Sequence, residues 1–241
     1  MPDIAWITDP AILASLVTLT VMEIVLGIDN IVFISVIVGR LPKAEAKRAR
    51  QIGLALALIF RLILLSLLFV LIGLTTPLFT LMDHGFSLRD LVLLAGGLFL
   101  LYKATREIHA DVEGEGHEAS AKAGATFGAI ISQIVVIDMV FSIDSIITAV
   151  GMAEHLAVMF AAVIIAVGIM YAAAGAVADF IERHPTTRML ALSFLLMIGA
   201  ALVADSVGFH IPRAYLYSAM AFSAGVEFLN VLARRNRARR T

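Results

Sequence analysis

The 241-residue chain has no cysteine, so it forms no disulfide framework, thiolate metal site or cysteine nucleophile. A metal bound here must meet oxygen, imidazole or thioether. Charge is scarce too: Asp, Glu, Lys and Arg supply 15% of the residues, against about 25% in soluble domains. Neither sign is in excess, since 18 Lys+Arg face 19 Asp+Glu for a formal net charge of -1. That balance leaves no basic surface for a nucleic-acid backbone and sets DNA and RNA aside as partners. What the chain has instead is apolar, with 61% hydrophobic residues and a mean hydropathy of +0.97. Such a composition suits a lipid bilayer and argues against a soluble globular domain.

Apolar stretches recur at about 11–38, 52–74, 88–102, 125–151, 156–178, 189–209 and 214–233. A hydrocarbon core about 30 Å thick takes roughly 20 residues, so the third stretch is short, and the first and fourth are long enough to tilt or break. The opening residues, MPDIAWITDP, lack the basic leader and small-residue cleavage site of a signal peptide, so the first span is expected to stay in the mature protein. Basic residues set the orientation. Arg40, Lys43, Lys47, Arg48 and Arg50 follow the first span, Lys103, Arg106 and Lys122 the third, and Arg183 and Arg188 the fifth. Arg234, Arg235, Arg237, Arg239 and Arg240 follow the seventh. Only Arg89 and Arg213 fall on the opposite side, while Arg61 lies inside the second span. The positive-inside rule then places the N-terminus outside and the C-terminus in the cytoplasm of a seven-span protein of a bacterial inner membrane.

One pattern repeats. Met22–Asn30 (MEIVLGIDN) aligns with Ile137–Ser145 (IDMVFSIDS) at a constant offset, setting Glu23 over Asp138, Gly27 over Ser142 and Asp29 over Asp144. Spans rich in Ile and Val often look alike, but they rarely place two acids each at the same spacing. The copies sit in the first and fourth spans, so each unit holds three helices and the second enters the membrane from the other side. The expected fold is therefore an all-α membrane protein of seven transmembrane helices. It has a first three-helix repeat at 11–102, a cytoplasmic acidic linker at 103–124, a second, inverted repeat at 125–209, a seventh helix at 210–233 and a basic tail at 234–241. Inverted repeats that rock about a midplane site are a common architecture of secondary transporters.

Four acids at that depth need compensation. Each costs about 2.5 to 3.5 kcal/mol at a helix centre on a translocon scale, so four cost on the order of 10 kcal/mol. A divalent cation, bound protons or the nearby Arg61 would supply it, and one arginine cannot balance four carboxylates. Arg61 reads as an internal counter-charge that holds the empty site together. Six residues along a helix turn by about 600°, which sets the two acids of a pair roughly 120° apart. A break at Gly27 and at Ser142 would turn both inward and free backbone carbonyls as ligands. With Asn30 and Ser145 beside them, Glu23, Asp29, Asp138 and Asp144 form a hard oxygen set suited to Mg²⁺, Ca²⁺ or Mn²⁺. Met22 and Met139 adjoin the acids and read more simply as packing.

Asp205 and Glu227, with His210 and Asn230 nearby, are candidates for a second ion or proton path, with helix capping and interfacial solvation as the alternative. The acidic and histidine-bearing stretch at 107–118 reads as a solvated linker.

At these residues the sequence resembles the TerC family of integral membrane proteins, within a wider superfamily of LysE-like exporters. The resemblance rests on MEIVLGIDNIVFI at 22–34, IDMVFSIDSI at 137–146 and FHIPRAYLYSAMAFSAGVEFLN at 209–230. Arg213-Ala214 departs from the usual Lys-Gly, and Asp205 stands where glutamate is common. The resemblance implies seven helices, manganese efflux in several members, and an acidic site at Glu23, Asp29, Asn30, Asp138 and Asp144. Other members are named for tellurite resistance, but tellurite is an oxyanion that buried acids repel, so metal homeostasis is the more direct role.

The expectation is thus a Mn²⁺ exporter, not an enzyme, that works by alternating access in the lipid bilayer, with Ca²⁺ or Mg²⁺ as competing cargo, no organic cofactor and protons as exchange partner. A non-transporting metal sensor or scaffold is the main rival. An intramembrane aspartyl protease is a weaker one, because Asp144 follows Phe-Ser-Ile and not the Gly-x-Gly of that chemistry.

Overall fold

The computed structural model describes residues 9–39, 41–81, 84–113, 127–150 and 156–238. Residues 114–124 of the expected acidic linker and the side chains of the arginine tail lie outside the described residues, while the linker's first half, 103–113, is helical with Glu107 buried and so is not a solvated linker. The elements run α1 (Pro10–Val38), α2 (Lys43–Ser66), α3 (Leu68–Gly73), β1 (Pro77–Leu81), β2 (His84–Ser87), α4 (Leu88–Glu113), α5 (Phe127–Val150), α6 (Leu156–Arg183), α7 (Pro185–Ser206) and α8 (Arg213–Ala238). Six of these helices are long and apolar enough to cross a membrane, namely α1, α2, α5, α6, α7 and α8. The third expected span is α4, which is long but turns polar at Lys103, Arg106 and Glu107, so it is not among the six.

Local chemistry fixes several helix ends. The Asp9 carboxylate accepts from the Ala11 N–H at 2.8 Å and Pro10 opens α1, while Pro185 opens α7 where its missing N–H is not needed. Between α7 and α8 the chain turns at Gly208, whose φ of 86° suits a residue without Cβ.

Two sequence expectations are corrected. α1 runs unbroken through Gly27 and α5 through Ser142, so neither position offers free carbonyls. In lipid an intact helix satisfies every backbone group internally, which opposes a break without polar neighbours to replace those bonds. The interruption falls instead in the second span, at Leu67 between α2 and α3, and it is followed by an unanticipated β1–β2 hairpin.

Packing pairs the two halves of the chain. α1 lies against α6, α2 against α5, and α4 against α7, while α8 rests mainly on α7. Exchanging α1 with α5, α2 with α6 and α4 with α7 converts the first contact into the second and returns the third to itself. The α4–α7 contact is close because Gly97 and Gly199 face each other. A Cβ on Gly97 would stand 2.8 Å from the Gly199 carbonyl oxygen, and one on Gly199 would stand 3.0 Å from that of Gly97. Outward faces are apolar, with Val17, Val70, Ile164 and Phe222 exposed, as lipid contact requires.

Candidate functional site

The buried polar centre is built from α1, α2 and α5. Glu23 and Asn30 are seven apart on α1, and Asp138, Ser142 and Ser145 are spaced by four and three on α5, so each set shares one face of an unbroken helix. Between them lies Arg61 of α2, 3% exposed. Its Nη1 donates to Glu23 Oε2 at 2.7 Å, its Nη2 to Asp138 Oδ1 at 3.1 Å and its Nε to Ser142 Oγ at 3.0 Å. Asp138 also accepts from Asn30 Nδ2 at 2.7 Å and from Ser142 Oγ at 3.2 Å. Three side chains from the two halves of the chain thus close on a single guanidinium, with Asn30 joined to it through Asp138.

Oxygen remains available in this cluster. Asn30 Oδ1 is buried and has no hydrogen-bond partner, an arrangement that disfavours the site unless something donates to that oxygen or is coordinated by it. A small cavity borders Glu23, walled by Leu19, Leu65, Ile146, Met159 and Val163. Thr20, one turn from Glu23, likewise has a buried hydroxyl without a partner.

The four-acid cage expected from the sequence is not assembled. Among the described residues no three His, Asp or Glu side chains converge as a metal-binding group. Glu23 and Asp138 come together, but Asp144 faces elsewhere, as the 120° separation on an intact helix dictates. The side chain of Asp29 lies outside the described residues. Ser145 is buried and turns its hydroxyl back onto the Ser142 carbonyl at 3.3 Å. Ser142 contributes its hydroxyl and not its backbone. Gly27 serves packing, since a Cβ there would run into Met170 Sδ.

Asp144 belongs to a second ionic cluster near the hairpin. Arg89, at the start of α4, and Arg213, at the start of α8, both donate to its carboxylate. Arg213 also reaches Asp205 Oδ2 at 3.4 Å, His210 Nδ1 lies 3.2 Å from Asp205 Oδ1, and Arg89 lies 3.7 Å from Asp90. Asp205 and His210 are thus linked to Asp144 through Arg213. Glu227 instead accepts from Thr186 and Thr187 at the start of α7, with Asn230 Nδ2 3.5 Å away. Arg89 and Arg213 were not anticipated as partners of an acid. Their signal was the charge count, for they are the two basic residues that stand apart from the others in the orientation pattern.

A bundle of apolar helices with charged residues paired across its buried interior defines a polytopic integral membrane protein with an internal polar centre. Residues 8–241 match the integral membrane protein TerC family, and the chain belongs to that family. It is 53% identical over 232 residues to the UPF0053 inner membrane protein YoaE of Escherichia coli, covering 96% of this chain and 45% of that protein. It is 51% identical over 228 residues to the UPF0053 inner membrane protein YgdQ of the same species, covering 95% of this chain and 96% of that one. The UPF0053 protein YegH matches at 51% over 235 residues, again covering 45% of its own length. The chain thus spans about half of YoaE and YegH and nearly all of YgdQ. No solved structure matches it.

Proposed function

We propose that this protein carries a divalent cation across the inner membrane by alternating access, with Mn²⁺ exported as its principal cargo. The observation that supports this most is the Glu23–Arg61–Asp138 cluster, where two carboxylates from opposite halves of the chain face one arginine. With both acids ionised, the three groups sum to a charge of minus one and invite a further cation. Glu23, Asp138 and Asn30 Oδ1 are hard oxygen donors, the type that suits Mn²⁺, Ca²⁺ and Mg²⁺; the family resemblance favours Mn²⁺. The Asp144 cluster then acts as a latch at the outer end, with the N-terminus outside, while the carboxylates await cargo from the cytoplasm. Export is driven in this reading by exchange for protons.

The test is Mn²⁺ flux in proteoliposomes of the purified protein, with Ca²⁺ and Mg²⁺ as competitors and a pH dye inside. Wild-type flux that Asp138→Asn abolishes is the expected result. A dye signal that does not follow the metal would reject the proton coupling. One observation favours a second reading: Arg61 fills the space between the two acids, as it would in a permanent structural tie. That reading, a metal sensor or scaffold, expects Mn²⁺ binding without flux.

A further inference from the structure

We propose that Arg61 is a built-in counter-ion that lets the empty carrier return across the membrane, so that it governs net transport and not the exchange of one metal ion for another. This rests on the transport reading above. The guanidinium stays charged at any pH a protein meets, so it moves with the site as a fixed positive charge. All three of its nitrogens are engaged, on Glu23 of the first half and on Asp138 and Ser142 of the second.

The two halves of the chain fill this place differently. Gly27 aligns with Ser142, so the counterpart of the α2–α5 contact between Arg61 and Ser142 is the α1–α6 contact between Gly27 and Met170. The same kind of interhelical slot is filled by a neutral thioether in one half and by a guanidinium in the other. The charge is the difference between the halves.

That charge shifts the burden between the two crossings. A charge left uncompensated in low dielectric is penalised. With Arg61, the empty cluster returning with one exchanged proton is neutral, and the cluster loaded with a divalent cation carries plus one. Without Arg61 the values become minus one and zero. The loaded form then moves easily while the empty form is held back. One further uncompensated charge at a helix centre corresponds to a factor of about 100.

The experiment compares two modes in proteoliposomes of the full chain. Net uptake starts from metal-free vesicles and needs the empty carrier to return. Exchange of labelled Mn²⁺ against internal Mn²⁺ does not. For Arg61→Gln and Arg61→Met, the ratio of net flux to exchange is expected to fall about 100-fold, with the half-saturating Mn²⁺ concentration lowered because a repelling charge is gone. Arg61→Lys keeps the charge and is expected to restore the ratio. An unchanged ratio in the neutral variants overturns the proposal. So does loss of exchange together with net flux when Arg61→Lys loses both as well, since Arg61 would then be a geometric tie and not a counter-charge. Loss of both modes in the neutral variants, with Arg61→Lys active, also overturns it, because the charge would then be needed by the loaded form. If the wild type performs neither mode, the transport reading itself fails.

Discussion

Replacing Asp144 with asparagine is expected to loosen the hairpin end of the bundle by about 2 kcal/mol, between the values for exposed and buried ion pairs. Arg89 and Arg213 are 20% and 22% exposed in their side chains, and the Asp144 carboxylate is 9% exposed. A fully buried pair broken on one side costs about 3 to 5 kcal/mol because a charge is left stranded. Here neither arginine is stranded, for Arg89 keeps Asp90 and Arg213 keeps Asp205. If the cluster latches one face of a carrier, the lost 2 kcal/mol raises the population of the open form by a factor of about 30. The absence of native cysteine makes this measurable. Leu65 is fully buried and walls the cavity beside Glu23, so Leu65→Cys should react slowly with a membrane-impermeant maleimide and about 30 times faster when Asp144→Asn is added. Labelling that stays slow while thermal stability falls would refute the latch and leave Asp144 as a structural tie.

Other outcomes follow from the same contacts. Asp138→Asn weakens the acceptor of bonds from Asn30, Arg61 and Ser142, and is expected to abolish Mn²⁺ flux while the protein still elutes as a monodisperse species in size exclusion. Gly27→Val drives a side chain into Met170 and should cost about 1–3 kcal/mol as overpacking, with part of that recovered by Met170→Ala in a detergent unfolding titration. Gly97→Val meets the Gly199 carbonyl and not a flexible side chain, so it should destabilise more than Gly27→Val, and no single truncation on α7 should rescue it. Ser142→Ala leaves Arg61 Nε without its acceptor, at a cost of about 1–3 kcal/mol, which a double-mutant cycle with Arg61→Met would assign to that bond.

Hydropathy is a sum over neighbouring residues, so the membrane class was legible in the sequence, as were nearly all of the spanning segments and the shortness of the apolar part of α4. The buried acids were legible for the same reason: a carboxylate inside an apolar run stands out without any partner in view. Helix geometry alone even set Asp144 about 120° from Asp138. The inference that a break would bring them together failed, because backbone bonds in lipid resist being opened while side chains can find partners separately. The break at Leu67 and the β1–β2 hairpin had no periodic signal to announce them.

The partners themselves were decided only in three dimensions. Arg61 is 38 residues from Glu23 and 77 from Asp138, and Asp144 is 55 from Arg89 and 69 from Arg213. A sequence states that each of these charges must be compensated, because apolar surroundings solvate none of them. Which charge meets which depends on the rotation and crossing of packed helices. Those are set by contacts such as Gly97 on Gly199 and Gly27 on Met170, whose partners no local pattern specifies. Composition therefore determined that the interior holds an electrostatic problem, and tertiary packing determined that Arg61 answers it between Glu23 and Asp138, while Arg89 and Arg213 answer it at Asp144.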